Sequence, residues 1–566
     1  MLPAKVALPE NRVYIDPLAI PRQFGFPMKK QFSIGSGPLS LLFALFFVLT
    51  SNQQFWSKTL AFFPLNQPGS LAFMASIFSV VLSLLLLLIT LVAWPGVLRP
   101  LLTLVLLGNA SAAYFMNSYG ISIDHYMLQN VFETNPAEAL ELLNFKLCAY
   151  LLGLGLLPSL LLWRTTIHYG RWTSLLLHKL GIIALTLAVI GGNAWFFYQD
   201  YASFFRNQGE VRRFFTPANF LYAGGDYLHQ IWFKKPKVLE RVGLDAKQAA
   251  SWQQHSKPTL LVLVVGETAR AANFGLDGYG RQTTPQLAKL DVINFPQASS
   301  CGTATATSVP CMFSPMSREQ YKSSQHQESV LDVVQRAGLS VRWKDNNSGC
   351  KGTCDRVNYE DLSQAKDAQW CHDGECFDEI LLQGLEQQLA QQKGNLLLVL
   401  HQKGSHGPAY YQRYPKQFEQ YTPVCNTNKL QECSREAITN AYDNTILYTD
   451  HLLARVIELL KAQQSHYNTA MWYMSDHGES LGENNLYLHG APYDFSPDTQ
   501  RHIPMVQWIS PGFAEQSGLD LACLRQVATR PVSHDNLFHS VLGILDIHTS
   551  VYQPALDLFK SCRKAN

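Results

Sequence analysis

Six side chains able to bind a metal or carry a proton stand at or just after apolar runs of the chain. Glu267 closes TLLVLVVGE; His401 ends NLLLVLH, with His406 five residues on in GSHGP; Asp476 and His477 follow MWYMS, with His489 twelve residues later in YLHG. Mixed carboxylate and imidazole donors of this kind suit Zn²⁺ or Mn²⁺. Taken singly, each histidine would more often be structural; their shared placement gives them weight. Strands buried on both faces read as continuous apolar runs. In open α/β sheets ligands gather outside the carboxyl ends of such strands, so these groups are expected to converge. A second chemical element is SSCGTATATSVPCMFS, residues 299–314, a hydroxyl-rich turn that Cys301 and Cys311 would staple. A hydroxyl there at a helix N-terminus would meet an incoming phosphate favourably, but needs a base or metal to become a nucleophile. Spacing leaves Thr303, Thr305, Thr307 and Ser308 all open, and a plain helix-cap role is equally ordinary for one of them.

The elements that must position these groups divide the 566 residues unequally. About 200 residues at the start are strongly apolar, with five runs near the ~20 residues a bilayer crossing needs. These are Pro38 to Phe63, interrupted by Ser51-Asn52-Gln53-Gln54, then Ser70 to Trp94, Leu98 to Tyr119, Leu147 to Trp163 and Leu177 to Tyr198. Lys29, Lys30, Arg99, Arg164, Arg171 and Lys179 fall in segments that then face the cytoplasm, whereas the loop with Asp124, Glu133, Glu138 and Glu141 faces out. Five crossings that begin inside leave the C-terminal part outside. Cysteine usage agrees independently, since ten of eleven lie after residue 300. Eight of these fall in close pairs: Cys301 with Cys311, Cys350 with Cys354, Cys371 with Cys376, and Cys425 with Cys433. Such pairs are short-loop disulfides in an oxidising compartment; Cys523 and Cys562 are a candidate fifth pair, and Cys148 reads as an inert membrane thiol.

The expected architecture is thus an α-helical membrane domain of five transmembrane helices over residues 28–199, aromatic and basic interfacial or bridging helices over 200–254, and an α/β domain with a mostly parallel sheet over 255–566. Residues 1–27 have no signal-peptide core and read as a short tail or an extension upstream of Met28. A net charge of +2, from 45 Lys+Arg against 43 Asp+Glu, gives no basic stripe for nucleic acid.

VVGETARAANFGLDGYGRQTTPQL, SCGTATATSVPCMFS, HQKGSHGP, YDNTILYTD and SDHGESLGENNLYLHGAPY appear in this order and, with the membrane region from about residue 28, resemble the lipid A phosphoethanolamine transferases. That family includes the mobile colistin-resistance enzymes and belongs to the alkaline phosphatase and sulfatase superfamily. The resemblance implies zinc, one ion with room for a second, on Glu267, Asp476, His477 and the nucleophile Thr305. It implies a second-metal, substrate-phosphate or proton-transfer role for His406 and His489, and substrate contacts from Asn347 and Lys351 in WKDNNSGCKG and from Asn130, Thr134 and Glu138 in QNVFETNPAE. Pro136, between Thr134 and Glu138, would interrupt a helix presenting the last three on one face.

The implied reaction moves phosphoethanolamine from phosphatidylethanolamine to lipid A through phospho-Thr305, in a monomeric, multi-pass inner-membrane protein with a periplasmic catalytic domain, and confers polymyxin resistance. Alternatives are the same transfer to Kdo or heptose of the lipopolysaccharide core, phosphoglycerol transfer as in lipoteichoic acid synthases, or a non-catalytic lipid-binding scaffold.

Overall fold

The computed structural model describes residues 32–564 except 67–68, 124–126, 129–130, 132–141, 199, 202–203, 205–210, 233–238, 323–325, 373 and 429. Among the described residues four helices are long and apolar enough to cross a membrane: α3 (Ser70–Val92), α4 (Leu98–Tyr119), α5 (Phe145–Arg164) and α6 (Trp172–Phe196). Ahead of them α1 (Ser36–Thr50) and α2 (Gln53–Phe62) form a pair bent by 62°, which makes five if the pair is one span. The bend has a chemical cause. Asn52 donates to the Phe47 carbonyl and bridges the N–H and carbonyl of Thr216, while Asn109 donates to Ser51 Oγ. Ser51 and Asn52, the first half of the polar interruption, are therefore satisfied inside protein, as irregular backbone at that depth requires. α5 contains a π-helical stretch, Leu151–Leu156. α6 buries only Leu175, Lys179 and Thr186, leaving an apolar outer face suited to lipid.

The chain then makes a short turn at Val211–Phe214 and enters α7 (Ala218–Trp232). α7 lies so close to α4 that a Cβ on Gly108 would stand 2.9 Å from the Phe220 ring.

The C-terminal domain is built on seven strands: β1 (Thr259–Gly266), β2 (Ile293–Asn294), β3 (Ser340–Asp345), β4 (Asn358–Asp361), β5 (Leu396–His401), β6 (Asn468–Ser475) and β7 (Met505–Ile509). Their order is β2-β7-β6-β1-β5-β3-β4, parallel from β6 to β4 and antiparallel at β7 and β2. β1 shows why such strands read as unbroken apolar runs. Leu260, Val262 and Val264 pack on Ile446, Leu453 and Ile457 of α9 (Arg435–Ala462), whereas Leu261, Leu263 and Val265 join Phe538 and Val541 of α10 (Asp535–Ile544). Both faces are covered, and each such side chain contributes about 1.5–3 kcal/mol by leaving water. α8 (Thr305–Met312) starts within the hydroxyl-rich turn.

Candidate active site

Register brings the chemistry together. His401 of β5 pairs with Val265 of β1 and Asp345 of β3, and Ser475 of β6 pairs with Gly266. Glu267 and Asp476, each one residue beyond its strand, thus emerge side by side. Ligand atoms of Glu267, Asp476 and His477 lie within 4.8 Å of one another, and all three residues are buried. Thr305, the first residue of α8, presents Oγ1 at 3.0 and 3.2 Å from the Glu267 carboxylate oxygens and 3.3 Å from His477 Nε2. Two other hydroxyls of the turn are committed elsewhere: Thr303 donates to the Ala491 carbonyl and Ser308 to the Asp476 carbonyl. At the N-terminus of α8, Thr305 also sits at the positive end of the helix dipole.

The donors fit a divalent cation. His477 Nδ1–H donates to the Gly478 carbonyl at 2.9 Å, leaving the Nε2 lone pair toward the cluster. Asp476 Oδ1 accepts from the N–H groups of Thr268 and His477, but its Oδ2 is buried without a hydrogen bond. An unmet buried carboxylate oxygen is costly unless a cation faces it. Electrostatics agree. Burial, and next the charge of Glu267, push Asp476 up to about 6. Burial opposes charge on His477, yet Asp476 and Glu267 carry the imidazole up to about 10. Burial likewise opposes charge on Glu267, but the hydrogen bond and charge of His477 hold its carboxyl well below the usual range. Proton-bound, the trio is one imidazolium between two carboxylates; the same donors would receive Zn²⁺.

Behind this cluster lies a second rank. His401 Nδ1 donates to Asp345 Oδ2 at 2.9 Å, and Asn347 Nδ2 donates to Glu267 Oε2 at 2.7 Å and to the Gln402 carbonyl at 2.9 Å. The 402–405 turn is held by Asp378, whose carboxylate accepts the Lys403 and Gly404 N–H groups. A Cβ on Gly404, at φ +54°, would stand 2.6 Å from the Glu267 carbonyl, so the turn needs glycine there. On the open side the His489 ring lies 4.3 Å from that of His477 and 5.9 Å from that of His406.

Residues 259–547 match the sulfatase family and residues 81–231 the phosphoethanolamine transferase EptA/EptB family. Phosphoethanolamine transferase EptA of Escherichia coli (strain K12) is 42% identical over 93% of this chain and 97% of its own. The chain belongs to the EptA/EptB phosphoethanolamine transferase family. Phosphatidylethanolamine transferase Mcr-1 of Escherichia coli is 39% identical, covering 89% of this chain and 94% of its own. The integral membrane lipooligosaccharide phosphoethanolamine transferase A (EptA) of Neisseria meningitidis superposes with a TM-score of 0.91 at 38% identity, over 94% of this chain and 100% of that one.

In this EptA/EptB family member the four close cysteine pairs are disulfides: Cys301 bonds to Cys311, Cys350 to Cys354, Cys371 to Cys376, and Cys425 to Cys433. Cys376 closes its loop across the short hairpin in which it faces Cys371, and Cys433 ties the residues just ahead of α9 back to Cys425. Cys523 and Cys562 form the fifth bond, and Cys148 is free and exposed. Lys351 sits in the loop between Cys350 and Cys354 at φ +52°, its Nζ donating to the Ser348 carbonyl. Asn130, Thr134 and Glu138 lie outside the described residues. Sequence reasoning missed His534, whose Nδ1 accepts the Cys301 N–H and whose Nε2 donates to the Ser475 carbonyl, tying the hydroxyl-rich turn to the end of β6. It also missed Thr268, which donates from Oγ1 to Glu267 and from N to Asp476 at φ +60°. Adjacency to Glu267 was the one available signal for Thr268; His534 offered none.

Proposed function

We propose that the chain transfers phosphoethanolamine from phosphatidylethanolamine to lipid A phosphates through a covalent phospho-Thr305, on the periplasmic side of the inner membrane, and so confers polymyxin resistance. The observation that carries this reading is Thr305 Oγ1 within hydrogen-bond reach of both Glu267 and His477 at a helix N-terminus. Zn²⁺, held by Glu267, Asp476, His477 and Thr305, would lower the hydroxyl's pKa and offset phosphoryl charge. Thr305 gives up its proton on the open side, through His489 and His406, and Oγ1 bonds to phosphorus as the P–O bond to diacylglycerol breaks; the departing alkoxide takes that proton. Asn347 keeps the Glu267 carboxylate oriented through its 2.7 Å hydrogen bond. In the second step a lipid A phosphate oxygen attacks phosphorus, the P–Oγ1 bond breaks, and Thr305 is reprotonated. His406 and His489, on the open side of His477, move the protons. Asn347, Lys351 and the 130–138 loop serve the donor headgroup. The added amine masks anionic phosphate, so cationic peptides bind lipid A less well.

A solved relative named as a lipooligosaccharide phosphoethanolamine transferase supports an acceptor of the lipid A and core class, and the relative named as a Kdo(2)-lipid A phosphoethanolamine 7''-transferase is less similar, at 27% identity, than EptA or Mcr-1. Mass spectrometry of lipopolysaccharide from an expressing strain tests this: lipid A gains phosphoethanolamine. Unmodified lipid A beside modified Kdo or heptose would overturn the acceptor.

A further inference from the structure

A short hairpin follows the cluster residues Asp476 and His477 and returns with His489. Ser480–Leu481 pairs antiparallel with Tyr487–Leu488, Ser480 opposite Leu488, and the return strand brings the His489 ring to 4.3 Å from that of His477. Gln500, fully buried, fastens the pairing: its Nε2 donates to Ser480 Oγ at 2.9 Å and to the Leu488 carbonyl at 3.0 Å. Past His489, Gly490 N–H donates to the Thr303 carbonyl at 2.7 Å, which ties the same strand to the turn bearing Thr305.

Leu488 connects the two open-side histidines. Its backbone leads directly into His489, and its side chain reaches the chain beside His406: a Cβ on Gly407 would stand 2.8 Å from Leu488 Cδ2. Its φ is +64°, a region that leucine rarely occupies because Cβ crowds the backbone there. Glycine would fit that backbone without strain; the leucine is held in it by what its side chain packs against. Part of that packing is the core of its own domain, which includes Tyr410 and Leu481. The other part comes from the membrane half. Leu486 and Leu488 pack on a buried cluster of Tyr114 and Tyr119 of α4, Ile121 just beyond it and Leu147 of α5. Asn144 braces this cluster by donating to Tyr114 Oη, which lies 3.3 Å from Tyr119 Oη.

We propose that Leu488 is a positioning residue that sets His489 and His406 for proton transfer and couples this pair to the membrane half of the chain. The inference rests on the transfer reaction proposed above and adds no group to the reacting atoms, since Leu488 acts through the two imidazoles. Its contacts are apolar, so its effect is steric. Removing the side chain leaves Glu267 and Asp476 at the ends of β1 and β6 and frees the strand bearing His489 to shift against His406. Proton transfer needs heavy atoms near hydrogen-bond distance, and a misplacement of about 1 Å costs up to about 100-fold in rate. The loss therefore falls on kcat.

The test uses the purified full-length, zinc-loaded enzyme in detergent micelles and follows diacylglycerol release from labelled phosphatidylethanolamine at saturating lipid A. Leu488→Gly, which suits the backbone and removes the side chain, lowers kcat at least about tenfold, with KM for phosphatidylethanolamine and bound zinc within about twofold of wild type. Leu488→Met, which refills the space, restores most of the rate. Ile121→Ala, on the membrane side of the contact, lowers kcat in the same direction by about threefold. In a His489→Ala background Leu488→Gly has little further effect, whereas independent effects would multiply. An unchanged kcat in Leu488→Gly would overturn the proposal, as would zinc lost in step with rate or full multiplication of the two effects in the double variant. Wild-type kcat in Ile121→Ala would overturn the coupling to the membrane half. Where His489→Ala alone has no measurable rate, the rates and zinc contents of Leu488→Gly and Leu488→Met decide. A wild-type enzyme that releases no diacylglycerol would instead remove the transfer reading, and this inference with it.

Discussion

Asp476–His477 and Asp345–His401 are both buried carboxylate–imidazole pairs at strand ends of one sheet, and they differ in what is left over. Asp345 spends Oδ2 on His401 and Trp343 and Oδ1 on the Asn347 and Gly349 N–H groups. Asp476 keeps Oδ2 buried and without a hydrogen bond, beside an imidazole nitrogen whose partner atom is already satisfied. Both imidazoles favour the charged form. Burial opposes charge on His401, but Asp345 outweighs it, raising the pKa above its ordinary value, as Asp476 and Glu267 do for His477. Residue type does not separate the pairs; unmet bonding capacity does. The donors of one pair could hold a cation; in the other, Asp345 accepts the Asn347 N–H and so braces the residue whose amide donates to Glu267.

The widest break between the two comes from Thr305→Ala, which removes the hydroxyl 3.3 Å from His477 Nε2 and leaves both pairs in place. Transfer should fall below about 10⁻³ of wild type, with circular dichroism and the five disulfides unchanged; retained activity would move the nucleophile elsewhere in the turn. Next is Asp476→Asn. Bound zinc, measured by elemental analysis, and transfer should both drop, the latter at least about 100-fold, and a chelator should reproduce the loss in wild type.

A third imidazole sharpens the contrast because it has no carboxylate partner. Burial pushes His534 down to about 4, so it is neutral in the fold, while the unfolded chain titrates near 6.5. Protons therefore bind the unfolded state first as the pH falls. Stability present above about pH 6.5 is lost on the way to about 4, by about 3 kcal/mol. Thermal unfolding followed from pH 7 to pH 4.5 should show that slope, and His534→Gln should flatten it. The smallest effect is expected from Asp345→Asn: activity down about tenfold, with zinc content preserved. If Asp345→Asn empties the metal site as Asp476→Asn does, the division of labour between the two pairs is wrong.

Much of this was legible from the sequence because two-faced burial writes itself as apolar runs, and a parallel sheet gathers their ends. Glu267, Asp476 and His477 were readable on that basis. His401 looked equally ligand-like, and only its hydrogen bond to Asp345, 56 positions earlier, removes it from the ligand set. The turn left four hydroxyls open because spacing does not report direction; the distances single out Thr305 at the cluster. In the membrane half, SNQQ announced an interruption, but the 62° bend depends on Asn52 meeting Thr216, 164 residues away. Long-range polar partners of this kind leave no periodic trace.

The most direct measurement is peptide mass spectrometry of the wild-type enzyme after incubation with phosphatidylethanolamine and no acceptor. The account predicts that the peptide containing Thr305 gains one phosphoethanolamine, which is lost on adding lipid A. An adduct on another residue, or transfer to lipid A with no adduct at any time in the turnover, would contradict it.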